Sequence, residues 1–300
     1  MPGAEHFWPD FRIPGVSTPI DEIRADAIGV AEQTGCELFL ARGPQYSRAA
    51  RVENCSDYDD GVIEEWAYAG GRAVWTACNE TNEMSCWLRT ASLGRARPVE
   101  LAAYCCSYAF TSFVPVGGGG LIVYRKQASG QLLQILPSGK QLPLAVPPSL
   151  RGARPVATDG TRIALFAHKI LYLVDRRGHV VAQWPSPREP DVVFAGDRLV
   201  TALRPGLIVR DLRTGESSGV ELTPPGADWT HSLADGSGDL VAYVWNRQAK
   251  DENDPAQEQV VRHRIELVRL TDHRSATVAE GGGPVSATFG ATLRRLLNRR

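Results

Sequence analysis

Short apolar stretches alternate with turns along nearly the whole chain, and they recur at a regular spacing. A turn rich in Gly or Asp followed by an apolar strand appears five times, as GGRAVWTA, GGGLIVYR, DGTRIALFA, AGDRLVTAL and SGDLVAYVW. These segments occupy 70–77, 118–125, 159–167, 195–203 and 237–245, and their shared glycines lie 36–49 residues apart. A strand-and-turn repeat of about 40 residues is typical of a propeller blade with four strands. The pattern therefore predicts an all-β chain.

The sequence between these phrases supplies the remaining strands of each blade. Two further short strands follow each phrase and another precedes it, which gives blades at 62–104, 107–146, 153–185, 190–223 and 229–279. A single blade is a sheet with two apolar faces, so it needs a neighbour on each side to bury them. Two sandwiches in tandem are the alternative, but a sandwich does not need the same phrase five times.

The two ends of the chain predict a sixth blade. Three N-terminal strands, at 26–34, 36–43 and 47–53, lack an innermost strand, and 283–290 is a strand without a blade. We expect 283–290 to complete the N-terminal blade and to close the ring, because closure removes exposed sheet edges. The fold class predicted is a β-propeller of about six four-stranded blades, with seven as the alternative.

The repeated phrases resemble those of the WD-repeat and TolB-like propeller families of bacteria. The resemblance rests on DGTRIALFA followed by LYLVDRRG, and on GDRLVTAL followed by LIVRDLRTGE. The Trp-Asp dipeptide itself is missing, since the matching positions are Val174-Asp175 and Arg210-Asp211. What these families imply is a rigid scaffold whose loops bind a ligand, most often another protein.

Charge and hydropathy narrow the partners and the domain organisation. The net charge is −1, which gives no general attraction to nucleic acid. No window reaches the roughly 18 apolar residues of a membrane-spanning helix. We expect a monomer with an N-terminal extension at 1–25, one propeller domain at 26–290 and a basic tail at 291–300. The first residues lack the basic start and apolar core of a signal peptide, which by itself favours the cytoplasm.

The cysteines favour an oxidising compartment instead. There are six, an even number, all in the first 106 residues: Cys36, Cys55, Cys78, Cys86, Cys105 and Cys106. An even set near predicted loop ends is typical of disulfides, which persist in secreted and envelope proteins. Cys78 and Cys86 bracket one hairpin tip and are the first pair expected. Cys36–Cys55 and a vicinal Cys105–Cys106 bridge are plausible, although six cysteines allow 15 pairings. Six reduced thiols in a cytoplasmic protein are the alternative.

Two groups of residues are candidates for chemistry. Asp57, Asp59 and Asp60 precede a Gly in an acidic turn, and oxygen ligands at such spacing can bind calcium. No other cofactor is expected. Glu64, Glu65 and His231 lie on predicted innermost strands, where alternation directs about half of the side chains into a central channel.

These observations predict a non-enzymatic scaffold that binds a protein or glycan partner, at the bacterial cell envelope or in the secreted fraction. The alternative is a propeller hydrolase or lyase that uses the channel residues Glu64, Glu65 and His231. Solvated turns and water-binding channel walls would account for the same residues without any chemistry.

Overall fold

The computed structural model describes most of the second half of the chain and the strands of the first half. The described residues are 22–25, 29–34, 37–42, 50–53, 62–69, 72–78, 85–92, 95–105, 110–116, 120–125, 130–136, 140–250 and 258–281. They fall into two compact units, of which one ends at Pro190 and the other begins at Asp191. They contain six antiparallel sheets of four strands, each with its strands in chain order. The all-β prediction is confirmed.

Four sheets belong to the unit that ends at Pro190. The first contains β1 (Glu22–Ala25), β2 (Gly29–Thr34), β3 (Glu37–Arg42) and β4 (Ala50–Glu53). The second contains β5 (Val62–Ala69), β6 (Arg72–Cys78), β7 (Ser85–Ser92) and β8 (Arg95–Cys105). The third contains β9 (Phe110–Val116), β10 (Gly120–Arg125), β11 (Gln131–Ile135) and β12 (Gln141–Pro143). The fourth, after a 3-10 turn at Pro148–Leu150, contains β13 (Arg154–Thr158), β14 (Arg162–Ala167), β15 (Ile170–Asp175) and β16 (Val180–Pro185).

Two sheets belong to the unit that begins at Asp191. The fifth contains β17 (Val192–Ala195), β18 (Arg198–Leu203), β19 (Gly206–Asp211) and β20 (Ser217–Glu221). The sixth contains β21 (Trp229–Ser237), β22 (Leu240–Lys250), β23 (Glu258–Arg269) and β24 (Ser275–Gly281).

The first sheet corrects one prediction. Its first strand is β1, which pairs with β2 from Glu22↔Gln33 to Ala25↔Val30. The N-terminal strands therefore do not lack an innermost strand, and the sheet has four strands without 283–290, a segment outside the described residues. β1 lies within the stretch predicted as an extension. Its sequence, EIRA, alternates charged and apolar residues, but over only four positions, which is the shortest run that can indicate a strand.

The turns of the repeat are stabilised by aspartate side chains. Asp175 Oδ1 accepts hydrogen bonds from the backbone N–H groups of Arg177 at 2.8 Å and His179 at 2.9 Å. Asp211 Oδ1 does the same for Arg213 at 2.8 Å and Thr214 at 3.0 Å. Both aspartates stand where the sequence analysis placed the Asp of a WD-repeat. Their role here is to satisfy the backbone of the turn between the third and fourth strands.

Apolar packing between consecutive sheets forms the core of the unit that begins at Asp191. Five successive residues of β22, Val241 to Trp245, are buried, so this strand is covered on both faces. Val241, Tyr243 and Trp245 form one cluster with side chains of the fifth sheet, including Val200 and Leu207.

Polar contacts join the same two sheets. Arg198 donates to Asp239 at 2.8 Å, and Asp191 accepts from the Leu233 N–H at 2.5 Å. At Gly236 the backbones approach so closely that a Cβ would lie 2.1 Å from the Phe194 carbonyl oxygen. Only glycine fits at such a distance.

This close approach makes Gly236 a test of the sheet packing. We expect Gly236→Ala to lower the free energy of unfolding by at least the roughly 1–3 kcal/mol typical of overpacking. The matched control is Gly219→Ala in β20, where a Cβ meets no atom within 4 Å. It should leave stability unchanged or raise it by up to about 1 kcal/mol. Urea denaturation measures both, and equal midpoints for the two variants would contradict the packing described.

Candidate functional site

A cleft of about 290 Å³ opens at one end of the fifth and sixth sheets. It lies between the β18–β19 turn, the link from β20 to β21, and the first residues of β21. The lining residues are Arg204, Pro205, Pro224, Ala227, Asp228, Trp229, Thr230, His231 and Trp245. All of them belong to the unit that begins at Asp191, so a single folded unit provides the entire cleft.

Local sequence explains both walls of the cleft. On one side, Leu203 pairs with Gly206, so Arg204 and Pro205 form a two-residue hairpin turn, with a cis peptide bond between them. On the other side, the link contains Gly226, whose carbonyl accepts a hydrogen bond from the Trp229 N–H at 3.3 Å. A Cβ on Gly226 would lie 3.2 Å from Cδ1 of the Trp229 indole. A glycine here therefore lets the indole lie close against the backbone of the link.

The floor consists of the buried ring of Trp245 and the half-buried ring of His231, and the buried ring of Tyr243 packs against both. The ring centroids of His231 and Trp245 are 5.0 Å apart, and those of Tyr243 and Trp245 are 5.8 Å apart in an edge-to-face arrangement. The buried carboxylate of Glu266 accepts hydrogen bonds from Trp245 Nε1 at 3.3 Å and from the Tyr243 hydroxyl. Thr277 Oγ1 donates to the same carboxylate at 3.4 Å. These bonds hold the Trp245 ring in one orientation, so the floor is preorganised.

Tyr243 is a neutral hydrogen-bond donor at ordinary pH. Burial is the largest cause that raises its pKa, and the hydrogen bond to Glu266 and the charge of that carboxylate raise it further. A phenol in this position keeps its proton and continues to bind Glu266.

His231 is held as a neutral imidazole. Its Nε2 lies 3.3 Å from the Gly206 carbonyl oxygen, which can only accept, so this nitrogen carries the proton. Burial lowers the pKa of His231 and the positive charge of Arg204 lowers it further, while the bond to Gly206 opposes both. This hydrogen bond links the beginning of β21 to the first residue of β19.

Two charged residues, Asp228 and Arg204, stand at the rim of the cleft, and they differ in whether they have a partner of opposite charge. Asp228 accepts a hydrogen bond from Arg247 at 2.6 Å, and this bond lowers the pKa of the Asp228 carboxyl. Arg204 is exposed, and none of the described carboxylates forms an ion pair with it. The cleft therefore combines a carboxylate whose charge is balanced by an arginine with an exposed guanidinium that has no such partner among the described residues.

The three predicted channel residues belong to different units, Glu64 and Glu65 to the one that ends at Pro190 and His231 to the one that begins at Asp191. Glu64 and Glu65 are adjacent in β5, and an irregular register between Ile63 and Glu65 interrupts the alternation there. Their side chains lie outside what the structure describes. His231 lies in β21, the first strand of the sixth sheet, where it lines the cleft. A joint catalytic role of the three stays a prediction.

The predicted calcium ligands Asp57, Asp59 and Asp60 lie outside the described residues. Within the described ranges, no group of three or more His, Cys, Asp or Glu side chains could hold a metal ion. Calcium at the acidic turn stays a prediction.

The first of the predicted disulfides is present. Cys78 and Cys86 are opposite each other in the β6–β7 ladder, with Cα atoms 4.1 Å apart and their sulfurs bonded. Both side chains are buried. The side chains of Cys36, Cys55, Cys105 and Cys106 lie outside the described part, so their pairing stays a prediction.

No described helix has the length and apolar character to cross a membrane.

Sequence analysis did not identify Arg204, Pro205, Asp228 or Trp229 as candidate site residues. Trp229 does contact the core cluster, but it is only half-buried and also lines the cleft. The signal in the sequence was the link TPPGADW, in which Pro-Pro-Gly stands shortly before a tryptophan at a strand start. Such a link can present an indole at the end of a sheet.

Comparison with known proteins identifies the fold. No protein-family model and no curated protein matches this chain. A structure of Hsv2 from Kluyvelomyces marxianus is similar, with a TM-score of 0.54 at 10% identity over 87% of this chain and 86% of that chain. A chain of a mitotic checkpoint complex has a TM-score of 0.57 at 8% identity, over 96% and 92%. The Pan2 WD40 domain of Neurospora crassa has a TM-score of 0.48 at 13% identity, over 91% of each chain. The fold is a WD-repeat-like β-propeller, as the repeated phrases predicted.

The state of His231 predicts a pH dependence of stability. The pKa of His231 is lowered in the folded protein, whereas the pKa of an unfolded histidine is about 6.5. The unfolded state therefore binds a proton first, and stability should fall as the pH drops below about 6.5, by at most about 1.4 kcal/mol per pH unit. Subtracting the free energy of unfolding of His231→Gln from that of the wild type at each pH removes the contribution of the other titrating groups. Urea midpoints from pH 7.5 to 5 should show a shallower slope for the variant, and parallel curves would exclude this role.

Proposed function

We propose that this protein is a non-enzymatic propeller scaffold that binds a protein partner through the cleft at Trp229. In this proposal the six sheets are six blades of one propeller, and the chain acts as a monomer. The observation that carries the proposal is an exposed apolar wall above a floor of fixed aromatic rings.

Exposed apolar side chains surround the cleft. Leu203, next to the turn, is 52% exposed, which is unusual for a large apolar side chain in this structure. Pro205, Pro224 and Ala227 are also exposed, and Trp229 is half-buried between them. Apolar patches rimmed by charged groups are typical of interaction sites, and tryptophan is enriched among the residues that dominate binding energy.

The size and rigidity of the cleft favour part of a protein over a whole small molecule. About 290 Å³ is at the lower limit of small-molecule sites and has room for one or two side chains. The floor is held by Glu266, so little entropy is lost when a partner side chain enters. A glycan would need several hydrogen-bonding groups that face it. Asp228, Thr230 and His231 of the lining are already hydrogen-bonded within the protein, which leaves mainly the apolar side chains to contact a ligand.

The two groups of the cleft that could act as an acid or a base, His231 and Asp228, already have partners. His231 donates to Gly206, and Asp228 is paired with Arg247. An acid–base pair for hydrolysis would need groups that face a substrate instead. We therefore prefer binding to the alternative of a hydrolase or lyase.

We place this binding activity at the cell envelope or outside the cell. The support is the Cys78–Cys86 disulfide, since such bonds persist in oxidising compartments. Mass mapping of non-reduced protein from the native host should recover the linked peptides. Free thiols at both positions would contradict this location.

The docking site can be tested by comparing three variants. Trp229→Ala and Leu203→Ser remove the apolar wall, and Val181→Ser changes a valine that is 55% exposed on β16 in the other unit. We expect a partner captured by the wild type to bind Trp229→Ala at least tenfold more weakly, which corresponds to about 1.4 kcal/mol. Leu203→Ser should weaken binding in the same direction, and Val181→Ser should stay within twofold.

Binding constants and melting temperatures are measured on the same preparations. A variant that melts like the wild type but binds weakly locates the partner at the cleft. Equal affinities for all four proteins would place the partner elsewhere and contradict the proposal.

A further inference from the structure

The charges around the cleft indicate what kind of partner segment it binds. Arg247 in β22 stands opposite Arg262 in β23, and Arg204 lies at the turn on the other side of the cleft. Asp228 is the one acidic residue among those that line the cleft in the described part of the chain, and it is paired with Arg247. Arg204 and Arg262 are both exposed, and no described carboxylate forms an ion pair with either. The exposed Glu221, which stands opposite Gly206 at the end of β20, adds a second acidic group beside this turn. The three arginines therefore exceed the two acidic groups by one positive charge, although the whole chain has a net charge of −1.

Elsewhere in the same unit, three other arginines have acidic partners within that unit. Arg198 pairs with Asp239 at 2.8 Å, Arg264 with Glu280 at 2.8 Å, and Arg269 with Asp272 at 3.3 Å. Arg204 differs from these three because it faces the cleft and influences its floor, as its effect on the pKa of His231 shows. A guanidinium beside an apolar cleft suits a carboxylate supplied by a partner.

The geometry of the walls favours an extended segment. The cleft lies between a two-residue turn and a proline-containing link, so it is open at the surface and too small for a helix of about 10 Å diameter. In an extended chain, alternate side chains point to the same side at a spacing of about 6.6–6.8 Å. One residue can thus enter the cleft while a residue two positions away reaches a rim arginine.

We propose that the cleft binds an extended acidic peptide segment of its partner, with an apolar or aromatic side chain against Trp229 and a carboxylate on Arg204. This inference rests on the proposed function and adds the chemistry of the partner to it. The apolar contact supplies affinity, and the ion pair determines which segments are accepted.

The test uses a phage-displayed library of random twelve-residue peptides selected on the full-length protein. We expect the selected peptides to be enriched in Asp and Glu around one Trp, Phe or Leu. A synthetic peptide from the selection should bind Arg204→Glu at least tenfold more weakly than wild type. The control is Arg213→Glu, which makes the same charge change on a side chain that is 71% exposed at the opposite end of the same sheet. It should stay within twofold, and Trp229→Ala should abolish binding to the peptide.

The outcomes separate this inference from the proposed function. Neutral or basic peptides that still require Trp229 would leave the docking site in place and overturn its preference for acidic segments. Acidic peptides that bind Arg204→Glu and wild type equally would overturn it as well. If no selected peptide depends on Trp229, both the docking site and its chemistry are wrong.

Discussion

Burial of both faces of the inner strands is the constraint on which the rest of this structure depends. β22 shows it most clearly, because Val241 to Trp245 are all buried in succession. A strand of this kind cannot be stable in a sheet with one solvated face, so a neighbouring sheet has to cover it. The contact is close enough at Gly236 to exclude any side chain. The apolar cluster that joins the fifth and sixth sheets is the direct result.

The candidate site follows from the same packing. Interior strands are fixed by their neighbours, so a side chain in the middle of such a strand, as Trp245 is in β22, is rigid without help from a ligand. The amino-acid sequences of the links between strands can vary because the links bury few apolar side chains. In this chain one link presents Trp229 and one turn presents Arg204 at the edge of that rigid floor. Binding groups on loops above a rigid scaffold are the usual arrangement in proteins.

The architecture could be predicted from the sequence because its signals are local. The five repeated phrases correspond to β6, β10, β14, β18 and β22, and aspartates such as Asp211 show why the turns recur. β1 was missed because its alternation of charged and apolar residues covers only four positions. The cleft could not be predicted, since it depends on how a turn at Arg204 and a link 20 residues later meet in space. Trp229 could not be singled out either, because a half-buried indole and a buried one look alike in a sequence.

The central claim is that a partner docks at the end of the fifth and sixth sheets where Trp229 lies. Amide hydrogen exchange, measured on the protein alone and with its captured partner bound, tests this most directly. The account predicts slower exchange in the turn at Arg204 and in the link from Gly226 to Thr230. The β19–β20 turn at Thr214 and Gly215, at the opposite end of the fifth sheet, should exchange at its original rate. Slower exchange at that turn, with no change around Trp229, would contradict the account.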